Sequence, residues 1–187
     1  MISAEQASNA LKEAAAAEQR SRNAYSYSQS APHCFVWGVV WLLGYGAEAL
    51  IPHAHPGWPW LGWWWNGLTM AGAVVSILIG RRQNVRRPGM SWRIGALFGI
   101  MWVFTIALFA VLHPSHDFQV GAYFPLLFAA IYAAMGLWMG LRYILVGVFM
   151  AVATLGAYYY LREYFFHWMA LVGGGSLFLT GFWMRRP

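Results

Sequence analysis

The chain has 187 residues, of which 60% are apolar and 10% are charged, and its formal net charge is +6. A soluble domain does not combine this apolar content with 12 Trp, 10 Tyr and 12 Phe, so the composition predicts an integral membrane protein. The arginines lie beside apolar runs rather than along a polar face, so we expect no nucleic-acid partner. The single cysteine, Cys34, excludes an internal disulfide, a thiol redox pair and a cysteine-based zinc site.

Residues 3 to 30 are predicted to form a cytoplasmic N-terminal helix. Ser3 and Gln6 have the spacing of a capping box, and the alanines at positions 14 to 17 favour a helix. The apolar side of this helix is thin, so we expect it to lie on the membrane face or on a partner. A frayed, solvated tail is the alternative. The segment has no apolar core, so we expect no cleavable signal peptide.

Residues 31 to 187 are predicted to form an all-α transmembrane domain of six helices arranged as three antiparallel hairpins. A helical crossing needs about 20 apolar residues, and windows of that length fit at about residues 33–51, 61–80, 92–112, 121–140, 143–161 and 165–184. Only Leu141 and Arg142 separate the fourth and fifth crossings, which must therefore be antiparallel neighbours. The lipid bilayer is thus the first expected partner.

An arginine-rich loop between the second and third crossings predicts the orientation of the chain. Positive charge is retained on the cytoplasmic side of a membrane, so the loop is predicted to be cytoplasmic, with both termini on the same side. All but one of the 12 Lys and Arg residues lie on that side, which favours a bacterial inner membrane. The residues predicted to set the topology or to bind a partner are Arg81, Arg82, Arg86, Arg87 and Arg93.

Small residues indicate where helices approach one another. Gly95 and Gly99 in the third crossing, and a stripe of Ala and Gly in the fourth, predict packing faces and allow a homo-oligomer. Three consecutive glycines in the sixth crossing have two interpretations: close packing, or a broken helix of the kind that lines transporter sites. These residues are Gly173, Gly174 and Gly175.

Histidines and carboxylates gather at the end opposite the arginine loop under this topology. Imidazole with carboxylate suits a divalent transition metal, so a tentative metal site is predicted from His53, His55, His113, His116, Asp117 and His167. Glu48 lies inside the first crossing, where a carboxylate is costly, and is predicted to act as a proton or ion relay. Interfacial histidines that reach into the headgroups are the competing interpretation.

Two hypotheses for function follow from these patterns. The first is a small transporter or sensor with an outward-facing His and carboxylate site for a transition-metal ion or protons. The second is a non-catalytic membrane anchor or regulator that docks a cytoplasmic protein through its N-terminal helix and arginine-rich loop. No catalytic residues are predicted, because phosphate-binding glycine loops and nucleophile–base pairs are missing from the sequence.

Overall fold

The computed structural model describes residues 3–50, 59–83 and 90–185, and this part of the chain is 95% helical, with no strand. Six helices are formed, which confirms the all-α class. The first five are α1 (Ala4–Leu50), α2 (Pro59–Arg82), α3 (Met90–Leu112), α4 (Asp117–Met139) and α5 (Leu141–Tyr160). The sixth, which we call the final helix, is Arg162–Arg185. It consists of a 3-10 turn (Arg162–Tyr164), α6 (Phe165–Trp168), a π-helical turn (Met169–Gly174) and α7 (Gly175–Arg185).

Helix α1 unites the predicted N-terminal helix and the first crossing in one element of 47 residues. It begins with the predicted capping box: the Gln6 amide donates to Ser3 Oγ at 3.1 Å, and the Ser3 amide donates to Gln6 Oε1 at 3.0 Å. The helix continues through Pro32, which lacks an N–H donor and usually interrupts a helix. Ala31 and Cys34 are buried on either side of the proline, so packing against neighbouring helices holds the backbone helical there.

The core of the bundle lies between α1, α4, α5 and the final helix. These elements supply the buried side chains Tyr27, Trp41 and Tyr45 of α1, Ala122 and Ala129 of α4, Tyr143 and Met150 of α5, and Phe165, Met169, Leu177 and Met184 of the final helix. The α4–α5 pair is antiparallel. A Cβ placed on Gly147 would lie 2.5 Å from the Ala129 carbonyl oxygen, and one on Gly136 would lie 2.7 Å from the Ile144 nitrogen. Glycine is therefore required for these backbones to approach so closely.

Helices α2 and α3 lie outside this core. Helix α2 packs on α1, where Gly72 faces Val40 and the Trp65 ring covers Gly44. Helix α3 meets α4 through Thr105 and Tyr123, whose hydroxyl oxygens are 3.1 Å apart. The predicted packing face at Gly99 is unused by the described part of the chain, because a Cβ there would meet nothing within 4 Å.

Several helices are long and apolar enough to cross a membrane. By length and composition the described residues contain five such helices, and α3 adds a shorter apolar segment, Gly99–Leu112. Their outward surfaces carry large apolar side chains that a soluble protein would bury, including Ile100, Val103, Phe104, Val152, Leu171 and Leu179. These observations support a membrane protein of the predicted multi-pass class.

Candidate functional site

The first part of α1 extends beyond the bundle, and we call residues 3–22 the N-terminal arm. Every side chain described in this stretch is exposed, including Leu11 at 72%. Twenty helical residues correspond to about 30 Å of length. The arm is therefore a long helical projection that makes no described contact with the rest of the chain.

Bonds within the arm stabilise it as a helix. The Ser3 and Gln6 capping box closes its first turn, and the Glu18 carboxylate accepts a hydrogen bond from Arg22 one turn later in the chain. At the end of the arm, Gln19 Nε2 donates to Oδ1 of Asn23, the first residue beyond it, at 3.0 Å. Pairs four residues apart add about 0.2–0.5 kcal/mol each to a helix. Together with its alanines, these bonds allow the arm to remain helical without a tertiary partner.

Residues 23–30 of α1, which we call the base of the arm, are fixed to the bundle by hydroxyl groups around Tyr143. The Tyr143 hydroxyl lies 3.1 Å from Ser26 Oγ and 2.6 Å from Ser30 Oγ, and it donates to the Ser26 carbonyl oxygen at 3.2 Å. Tyr27 packs beside it, with ring centroids 5.5 Å apart. Sequence reasoning missed this contact. Its signal was the serine pair four residues apart, which places both hydroxyls on one face of α1.

The turn between α4 and α5 packs tightly on the same region of α1. Gly140 has φ of +113°, and a Cβ there would collide with the Tyr27 hydroxyl. Two residues later, the Arg142 guanidinium lies 4.9 Å from the Tyr27 ring centroid and donates to the Trp183 carbonyl oxygen at 3.0 Å. The base of the arm therefore contacts the α4–α5 turn and the first turn of α5, and Arg142 links it to the end of α7.

The start of the arginine-rich loop lies beside the base of the arm. Arg81 and Arg82 form the last turn of α2, and the next residue, Gln83, donates from Nε2 to the Gln29 carbonyl oxygen at 3.2 Å. Arg93 lies in α3. The other two predicted residues, Arg86 and Arg87, lie outside the described residues. The two segments predicted to dock a partner thus meet at one end of the bundle.

Glu48 lies between α1 and α2, where it accepts a hydrogen bond from the Trp65 indole. Trp65 was not among the partners expected from the sequence. One turn earlier on α1, the buried Tyr45 hydroxyl donates to the Gly121 carbonyl oxygen at 2.7 Å. The Tyr45 and Trp65 rings also meet edge to face at 5.0 Å. Glu48 is half-buried beside α2, and a hydrogen-bonded partner is what we expect for an ionisable residue within a membrane.

Three histidines of the predicted metal site, His113, His116 and His167, lie among the described residues. His113 directly follows α3 with φ of +43°, and His116 is the N-cap of α4, next to Asp117 in the first turn. The ring of His167 lies 6.2 Å from that of Tyr164. Within residues 3–50, 59–83 and 90–185, no three His, Cys, Asp or Glu residues come together as a metal site. His53 and His55 lie outside the described residues, so the metal site stays a prediction.

The glycine triplet lies where the final helix changes from π to α geometry. Gly173 and Gly174 are buried at the end of the π-helical turn, and Gly175 begins α7, so the chain stays helical there. A Cβ on Gly174 would lie 3.1 Å from the Leu42 nitrogen and 3.2 Å from the Gly38 carbonyl oxygen of α1. These contacts favour the packing interpretation for Gly174. A Cβ on Gly175, in contrast, would meet nothing within 4 Å.

No protein-family model, curated protein or solved structure matches this chain.

Proposed function

We propose that the protein is a non-catalytic membrane anchor or regulator that docks a cytoplasmic protein through its N-terminal arm and arginine-rich loop. The observation that carries this proposal is the arm itself: an exposed helix about 30 Å long that is continuous with a membrane-length helix. The hydrogen bond from Gln83 to Gln29 supports a shared docking surface, because it brings the loop to the base of the arm.

The side-chain pattern of the arm supports a helical partner. Small residues recur with seven-residue periodicity at Ala7, Ala10, Ala14, Ala17 and Ser21. A stripe of this kind lets a second helix approach closely, and the polar residues on either side keep the arm soluble until it does. Leu11, which is exposed beside the stripe, would supply the largest apolar contact.

The arm is cytoplasmic in this proposal, and the chain lies in a bacterial inner membrane with both termini inside. The positions of the charged residues support that orientation. Arg82, Arg142 and Arg185 lie at the ends of elements that meet the base of the arm, whereas Glu48 and Glu163 lie toward the other end. Positive charge at the arm end agrees with retention on the cytoplasmic side.

Single-cysteine labelling tests the orientation. Cys34 is the single cysteine of the sequence, so the Cys34→Ala variant is a cysteine-free background. Into it we introduce Ser8→Cys in the arm or Ser115→Cys at the opposite end. A membrane-impermeant maleimide added to intact cells should label position 115 and miss position 8. Labelling of position 8 alone would mean that the arm lies outside the cell, and a cytoplasmic partner could then not bind it.

Photo-crosslinking tests the docking. A photoreactive residue in place of Leu11 should give one discrete adduct in native membranes, and a protein lacking residues 1 to 22 should no longer co-purify with the adducted partner. The same photoreactive residue in place of Leu171, which is 72% exposed on the final helix, is the matched control. Equal adducts from positions 11 and 171, or unchanged co-purification after truncation, would contradict docking through the arm.

The second candidate is a transporter or sensor with a site for protons or a transition-metal ion. Glu48 favours it, because this half-buried carboxylate belongs to a membrane-length helix and is hydrogen-bonded to Trp65 of α2. Under this candidate Glu48 carries the proton or ion, and its hydrogen bond to Trp65 positions the carboxylate between α1 and α2.

A further inference from the structure

The bundle end at the base of the N-terminal arm carries arginines, and the acidic side chains of the chain lie elsewhere. Arg82 ends α2, Arg142 is the second residue of α5, and Arg185 ends α7. Three of the six acidic residues lie on the arm and three lie toward the opposite end of the bundle: Glu5, Glu13 and Glu18, then Glu48, Asp117 and Glu163. The electrostatic potential at this end is therefore positive, which attracts anions.

Two of these arginines are held against aromatic rings of other helices. The Arg142 guanidinium lies 4.9 Å from the ring centroid of Tyr27 and 5.4 Å from that of Trp183. The Arg185 guanidinium lies 4.7 Å from the ring centroid of Phe35. Contacts of this type are worth about 0.5–1 kcal/mol at exposed sites, and they fix the plane of the guanidinium. Less side-chain freedom is then lost when an anion binds.

The surroundings of these two guanidinium groups have the character of a membrane boundary. Phe35 also contacts Phe182 edge to face, with ring centroids 4.9 Å apart. The exposed Trp183 follows Phe182 in the chain. Aromatic rings with attached cations are typical of the headgroup level, where phosphates and acyl chains meet. An anion bound here would have apolar surface directly beside it.

We propose that α1, α5 and α7 form a binding site for the headgroup of an anionic phospholipid at the arm end of the bundle. Arg142 and Arg185 contact the phosphodiester, and the rings of Tyr27, Phe35 and Trp183 contact the glycerol and upper acyl chains. Guanidinium groups match phosphate geometry through paired N–H donors. A lipid with net negative charge is preferred to a zwitterionic one, because the site offers no acidic side chain for an ammonium group.

Native mass spectrometry of the full chain tests the proposal, with phosphatidylglycerol and phosphatidylcholine of the same acyl chains as probes. We expect the protein to retain phosphatidylglycerol about tenfold better than phosphatidylcholine. Arg142→Gln and Arg185→Gln should each lower that preference several-fold. Arg162→Gln is the matched control, because Arg162 also lies near aromatic rings but at the opposite end, over Phe118 and Tyr158. Its effect should be negligible.

Two further measurements distinguish loss of binding from loss of folding, and a lipid ligand from a soluble phosphate. Tyr27→Leu keeps both charges and removes one ring, so it should weaken retention without changing helicity, and it decides the question if Arg142→Gln fails to fold. Soluble glycerol phosphate should not displace the lipid. Equal retention of both lipids, an equal loss in Arg162→Gln, or displacement by glycerol phosphate at matched concentration would each overturn the lipid site.

Discussion

Ser30 Oγ lies 2.6 Å from the Tyr143 hydroxyl, and this contact joins the base of the N-terminal arm to the first turn of α5. The same tyrosine hydroxyl donates to the Ser26 carbonyl oxygen, so its lone pairs remain to accept from the two serine hydroxyls. One side chain thus connects two turns of α1 to a helix more than a hundred residues away in sequence.

Tyr143→Phe should destabilise the protein by about 1 kcal/mol, because hydrogen bonds between membrane helices are worth about that much. Unfolding of detergent-solubilised protein with increasing SDS measures the change. Tyr160→Phe is the control, since Tyr160 is 87% exposed at the far end of α5. A loss of the same size in both variants would mean that the hydroxyl network contributes nothing.

Two truncations should distinguish the contribution of the arm to the free energy of unfolding from that of its base. Removal of residues 1 to 22 should leave unfolding unchanged to within about 0.5 kcal/mol, because exposed side chains away from special contacts contribute little. Removal of residues 1 to 30 should lower stability by several kcal/mol, since it deletes the buried Tyr27 and both serines. If the shorter truncation were as harmful as the longer one, the arm would be part of the folded core.

Gly140→Ala should be strongly destabilising. Glycine alone adopts φ of +113° with ψ of 162° readily, and the new methyl group would also meet the Tyr27 hydroxyl. We expect a loss of about 2–3 kcal/mol in the same SDS titration. Gly156→Ala in α5 is the control and should be neutral or slightly stabilising, because its Cβ would meet nothing within 4 Å. Tolerance of Gly140→Ala would refute the tight turn.

Two neighbouring glycines in the final helix should respond differently to alanine. Gly174→Ala should cost about 1–3 kcal/mol, because the added Cβ presses on the backbone of α1 at Leu42 and Gly38. Gly175→Ala should be neutral or stabilising, since the space around it is open. Equal effects on stability, with loss of transport in both, would favour a functional helix break over packing.

Glu48→Gln tests the second candidate function. Glutamine keeps an oxygen that can accept from the Trp65 indole, so the fold and the melting temperature should be retained. If Glu48 carries protons or metal ions, flux into liposomes or metal content by elemental analysis should fall to background in this variant. Flux or metal content equal to that of the unchanged protein would show that Glu48 carries neither protons nor metal ions.

The sequence predicted helix positions well, because each helix needs a length of apolar chain that few other arrangements supply. The predicted crossings at about residues 61–80 and 143–161 correspond to α2 and α5, although α2 begins at Pro59 and α5 at Leu141. The continuity of α1 was less evident. Proline usually interrupts a helix, and at Pro32 the burial of Ala31 and Cys34 by other helices favours a helical backbone.

The contacts of the site were harder to predict than the helices. Glu48 was identified from the cost of a carboxylate in a membrane, but its Trp65 partner depends on how α2 rotates against α1. The histidines were grouped by membrane depth alone. Depth does not fix direction around a helix axis, and the sequence did not predict that His116 would be the N-cap of α4, with its ring 3.0 Å from Ser115 Oγ. The same holds for the alanines of α4, which point in different directions around the helix axis: Ala129 is buried whereas Ala134 is exposed.

The uninterrupted course of α1 also has a mechanical consequence. The helix is continuous from the arm into its membrane-length part, so we expect the two to tilt together. Over about 30 Å, a change in tilt of about 10° displaces the tip of the arm sideways by about 5 Å. A small rearrangement among helices inside the bilayer would therefore become a movement of side-chain size at the surface that a soluble protein would touch.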